Sequence, residues 1–167
     1  MEEYKIFNGG LKNRYGVEFE VGKAYTLDIS NRDIEYGING YGFHFVKRPE
    51  DALRYFDAIN GDVDIACVES LGPIKEYYDD YYGYYDLYVT NSILIKHALT
   101  RKEFIIYMLN TNENRIERLI QGFQLNEEEL KIILEKYPTD KIYRAIEYYQ
   151  RGNKDIYSSV KAINLRR

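Results

Sequence analysis

Apolar and polar positions alternate with a period near two through the first 99 residues and switch to a period near 3.6 from Thr100. Glu3-Tyr4-Lys5-Ile6-Phe7 predicts a first strand, closed by the turn residues Asn8-Gly9-Gly10. Val17-Glu18-Phe19-Glu20-Val21 alternates cleanly and predicts a second, and Ala24-Tyr25-Thr26-Leu27 is extended after the Gly22-Lys23 break. Val63 to Ser70 is apolar on both faces, the pattern of an interior strand, and Leu71-Gly72-Pro73-Ile74 continues it past a kink. Residues 77–86 followed by Leu87 to Lys96 predict an antiparallel hairpin with a tyrosine run at its tip.

The centre of this pattern is Gly40-Tyr41-Gly42-Phe43-His44-Phe45-Val46, a strand running straight into a helix over about 49–59. Glycines at 37, 40 and 42 permit a left-handed entry. Phe43 and Phe45 share one strand face, with His44 and Val46 on the other. Pro49 suits a first helical turn, Glu50 and Asp51 suit its dipole, and Ala52, Leu53, Tyr55 and Phe56 form the apolar stripe.

After Thr100-Arg101-Lys102-Glu103, a capping box, the spacing predicts helices with Phe104, Ile105, Met108 and Leu109 inward, then over 112–122, 126–137, opened by a second capping box Asn126-Glu127-Glu128-Glu129, and 139–150. The pattern as a whole predicts an α+β fold. A small mixed or antiparallel sheet with one embedded helix fills residues 1–99, and a helical subdomain, 100–167, packs on it.

Composition narrows the partners. Residues 1–99 carry 10 basic and 17 acidic side chains, whereas 100–167 carry 13 and 10. The acidic front half disfavours a nucleic-acid backbone and favours a basic protein surface. No apolar run reaches the ~18 residues of a membrane span, and Met1-Glu2-Glu3-Tyr4 lacks the basic and apolar regions of a leader. The expected location is the cytoplasm. Cys67, the single cysteine, reads as a small buried hydrophobe.

Several spaced motifs agree in order: Tyr4-Lys5-x-Phe7; Phe19-Glu20-Val21-Gly22-Lys23-x-Tyr25; Gly42-Phe43-His44-Phe45 with Pro49 and Tyr55; Val68-Glu69-Ser70-Leu71-Gly72; and Val89-Thr90-Asn91-Ser92-Ile93. Over roughly residues 4–105 this resembles a domain of unknown function common in bacteriophage and giant-virus proteins, often found next to pentapeptide repeats. Here a helical tail stands in place of the repeats. The resemblance implies a viral or mobile-element protein acting in a host cytoplasm, and no particular chemistry.

The glycine-led strand into a helix, followed by a strand ending in glutamate, also resembles the core of ADP-ribosyltransferases. That resemblance implies NAD as cofactor, His44 or Tyr41 lining its cleft, and Glu69 as the catalytic carboxylate. This chain has Lys5 where those enzymes carry His or Arg, and no Ser-Thr-Ser strand, so the transferase stands as the alternative. His44, Cys67 and His97 lack metal-ligand spacing, Gly37-x-x-Gly40-x-Gly42 lacks the ending of a phosphate loop, and no nucleophile elbow occurs.

The tyrosine run is different. Seven tyrosines lie between positions 77 and 88, interleaved with Asp79, Asp80 and Asp86. Strand alternation can bury about half of them, and tyrosine supplies rigid contact area at low entropic cost. The sequence therefore reads first as a non-catalytic viral protein-binding module that inhibits a host defence factor. Tyr81, Tyr82, Tyr84, Tyr85 and the three aspartates would meet a basic partner.

Overall fold

The structure is a computed structural model that describes residues 2–30, 33–34, 41–53, 62–77 and 87–150. These residues divide into two compact units, the first ending at Thr100 and the second starting at Arg101.

The first unit is built on seven strands: β1 (Glu3–Asn8), β2 (Ala24–Thr26), β3 (Phe43–Val46), β4 (Val63–Ser70), β5 (Ile74–Tyr77), β6 (Leu87–Thr90) and β7 (Ser92–Leu99). They form one sheet in the order β2-β7-β4-β1-β3-β6-β5, and every neighbouring pair is antiparallel. The embedded helix, α1 (Pro49–Ala52), packs against β1 and β3 with proline in its first turn. Ala52 and Leu53 are buried as the apolar stripe requires, while Tyr55 and Phe56 lie outside the described residues.

The segment predicted as one strand over 87–96 is two. Asn91 alone joins β6 to β7, yet β3, β1 and β4 lie between them in the sheet. In a flat sheet four strand spacings would put them ~19 Å apart, whereas two residues of chain reach about 7 Å. The sheet therefore coils until its two halves meet at the Thr90-Asn91-Ser92 corner, where the Ser92 amide donates to Thr90 Oγ1. Inside the coil, Phe7, Phe43, Phe45, Ala66, Val68, Ile93 and Ile95 form one core with Phe19, and Phe45 stacks on Tyr88 at 5.5 Å. At the rim the buried Glu3 carboxylate accepts from Lys47 Nζ at 2.9 Å, the Ser70 amide at 2.6 Å and Ser70 Oγ at 3.1 Å.

The strand predicted over 17–21 is not one. Phe19 is buried as alternation requires, but Val17 and Val21 are each 52% exposed, and the only pairing there is a single bridge between Lys12 and Glu18. The cause is local. Asn13 Oδ1 accepts from the Tyr15 and Val17 amides at 2.9 and 3.0 Å, which gives this backbone a side-chain partner instead of a ladder. Gly10, Gly16 and Gly22 adopt positive φ and turn the chain every few residues.

The second unit contains α2 (Arg101–Leu109), α3 (Glu113–Gly122), α4 (Glu127–Lys136) and α5 (Asp140–Tyr149). The predicted periodicities hold: Phe104, Ile105 and Met108, then Ile116, Leu119 and Ile120, then Leu130, Ile133 and Leu134, then Ile142, Ala145 and Ile146 are buried, while Tyr149 is exposed. Asn126 and Glu129 form the predicted capping box. Buried Gln150 bridges three backbone groups, donating to Ile120 O and Phe123 O and accepting from the Leu125 amide.

Candidate functional site

β5 lies at one edge of the sheet and pairs with β6 from Ile74↔Thr90 to Tyr77↔Leu87. That register makes residues 78–86 the connection of an antiparallel hairpin, as the sequence predicts. These nine positions hold five tyrosines and three aspartates. Tyr81, Tyr82, Tyr84, Tyr85, Asp79, Asp80 and Asp86 all lie outside the described residues. The edge strand β5 is fixed on one face. Lys75 Nζ and Tyr77 OH both donate to the carbonyl of buried Ile34, at 2.8 and 3.0 Å. The opposite face presents Glu76, whose carboxylate accepts from Tyr88 OH at 3.2 Å.

His44 sits in β3 opposite Val89 and is mostly buried. Tyr41 is largely exposed at the entry to that strand. Glu69 sits near the end of β4, where its half-exposed carboxylate faces Lys96 Nζ at 3.5 Å. The registers Tyr4↔Val46 and Tyr4↔Cys67 put His44 and Glu69 on the same sheet face but on strands separated by β1. They are also offset by four residues along it, a separation on the order of 17 Å. The structure does not bring them to one centre. Cys67 stands opposite His97 in the β4–β7 ladder, and no three His, Cys, Asp or Glu side chains among the described residues form a metal-binding group.

The feature that sequence reasoning missed lies between β1 and β3. β1 pairs with β4 along all six of its residues, but with β3 only at Tyr4↔Val46. Beyond that pair the strands part, and Lys5 Nζ reaches across to donate to the His44 carbonyl at 3.0 Å. Lys5 shares the core face with Phe7, and its ammonium lies 5.4 Å from that ring. Burial, and then the nearby Arg14 guanidinium, lower the Lys5 pKa to about 8. Burial, then Lys5 and Arg14, lower that of His44 to about 4, against a hydrogen bond from the ring to the Gly42 backbone that raises it. A lysine inside the Tyr4–Phe7 run, on the side of its phenylalanine, was the available signal.

No helix among the described residues is long and apolar enough to cross a membrane. Residues 1–107, which include the whole sheet unit, match a family described as a domain of unknown function, DUF7666. No curated protein matches the chain.

Proposed function

We propose that this chain, which belongs to the DUF7666 family of unknown function, is a non-catalytic protein-binding module whose partner docks on the connection between β5 and β6. The single observation that carries the reading is the β5–β6 register, which assigns an acidic, tyrosine-dense nine-residue segment to a hairpin connection at a sheet edge. Tyrosines at such a place offer flat, rigid faces for guanidinium groups, and Asp79, Asp80 and Asp86 offer them carboxylates. The partner is thus a protein with a basic or arginine-rich surface. Our fuller proposal is a viral accessory protein that engages such a host factor in the cytoplasm and inhibits a defence function.

The test replaces Tyr81, Tyr82, Tyr84 and Tyr85 together with serine and measures capture of a defined arginine-rich peptide array by the full chain. Capture should drop at least ~30-fold, about the effect of losing one hot-spot tyrosine, while the melting temperature holds. Undiminished capture, or capture indifferent to the charge of the array, overturns the reading.

A further inference from the structure

We propose that Lys5 is an acylation site, at which the side-chain amine takes a small acyl group from a thioester and becomes an amide hydrogen-bonded to the His44 carbonyl. The site, on β1, does not depend on the function proposed above.

Its ammonium stands where a charge is costly. Lys5 lies between Glu3 and Phe7 on the core face of β1, opposite Ala66 of β4. Nζ is 5.4 Å from the centre of the Phe7 ring and donates to the His44 carbonyl at 3.0 Å. Among the described residues no carboxylate pairs with it. The two carboxylates on the same face are committed elsewhere. Glu3 accepts from Lys47 and Ser70, and Asp64, opposite Phe7, accepts from the Leu11 amide at 2.9 Å. An ammonium has three N–H donors, and the His44 carbonyl serves one of them. Uncharged forms of this side chain are therefore favoured. Burial, and then the like charge of Arg14, lower the pKa to about 8. At pH 7.5 that leaves roughly a quarter of Lys5 as free amine, against about one part in a thousand for an ordinary lysine.

Access is the second support. β1 and β3 pair only at Tyr4↔Val46, and Lys5 is the first residue past that pair. From Glu3 to Phe7, Lys5 alone is not fully buried. The side chain thus keeps contact with solvent where the ladder has opened.

The chemistry selects the group. The amine lone pair attacks the thioester carbonyl carbon, a C–N bond forms and the C–S bond breaks. Sulfur leaves with the bonding pair and takes up the proton that nitrogen sheds, so the products are an amide and a thiol. The amide is uncharged and keeps one N–H, enough for the His44 carbonyl. An imine formed from an aldehyde would have no N–H for that carbonyl. A carbamate would carry a negative charge into the same half-buried place beside Phe7. Acylation removes the cost of the charge and retains the hydrogen bond.

The test exposes the folded full chain to a soluble thioester, S-acetyl-N-acetylcysteamine, between about pH 6.5 and 10.5, a range that spans both amine types. Peptide mass spectrometry then gives the acetylation rate of each lysine. Lys102 and Lys131, both exposed, are the internal references. At pH 7.5 Lys5 should react about tenfold faster than either, because its free-amine fraction is roughly 250-fold larger and its weaker basicity offsets part of that gain. Its rate should level off above about pH 8, while the references climb to about pH 10. In concentrated urea the advantage should vanish, since it belongs to the fold. A Lys5 rate no higher than that of Lys102 and Lys131, a pH profile that climbs with theirs, or an advantage that survives in urea overturns the proposal. Labelling of Lys5 by acetic anhydride but not by the thioester overturns it equally.

Discussion

Two separate costs meet in Gly42→Ala, and they can be taken apart by experiment. Gly42 enters β3 with φ 141°, a conformation that L side chains rarely adopt, and holding a non-glycine residue there costs ~1–3 kcal/mol. A methyl group would also stand 2.3 Å from Val89 Cγ1 and 3.2 Å from the Thr90 carbonyl. Val89 is fully buried in β6, between β3 and β5, so it has nowhere to swing. Overpacking of that kind costs a further ~1–3 kcal/mol. The single variant should thus lose about 2–6 kcal/mol in all. Val89→Ala alone removes two buried carbons and should cost ~2 kcal/mol. In the double variant the new methyl of residue 42 enters the space that Val89 vacated. The two effects should then fall short of additivity by ~1–3 kcal/mol, while the backbone strain remains. The assay is urea unfolding of the parent, both single variants and the double, comparing midpoints at constant m. A Gly42→Ala protein as stable as the parent, or a cycle that closes to zero, would refute the close approach of β3 to β6.

Three further outcomes rest on the same packing. Phe45 is almost wholly buried against Tyr88, so Phe45→Ala should cost ~3–5 kcal/mol; a parent-like melting curve would mean that β3 is turned over. His44 is neutral in both folded and unfolded chains above about pH 6.5, but between there and about 4 the unfolded chain alone takes the proton. Stability should therefore fall with pH across that window by ~3 kcal/mol, and His44→Gln should remove that decline when the two proteins are compared by urea unfolding from pH 7 to 4.5. Gln150→Ala leaves the Ile120 and Phe123 carbonyls and the Leu125 amide without their side-chain partner. It should cost ~2–4 kcal/mol, and unchanged amide-exchange protection in the second unit would show that those groups are met in another way.

Local order was written plainly in the chain. The period of two around Phe43 and Phe45 predicted a strand with both rings inward, because a pleated strand leaves its side chains no other way to alternate. The helical spacing of Ile116, Leu119 and Ile120, and the box of Asn126 with Glu129, fixed their helices to within a residue or so, since these signals act within a single turn. The predicted hairpin has its β5–β6 ladder, and the tyrosines that suggested a binding site remain where the chain order put them, between those two strands.

What the tertiary structure decided was pairing and proximity, which no local pattern encodes. Val17 to Val21 alternates like a strand, but Asn13 takes the Val17 amide, along with that of Tyr15 just before it, from any ladder. Leu87 to Lys96 reads as one apolar run, yet it splits at Asn91 because the sheet coils and the two halves join strands on opposite sides of β1. Glu69 and His44 looked like partners in one site, and a four-residue offset along β1 keeps them apart. Lys5 looked like a departure from a pattern, and the parting of β1 from β3 lets its ammonium reach the His44 carbonyl. Hydrophobic period is a property of each segment, whereas strand order and the sharing of charge between distant residues arise only when the segments are packed together.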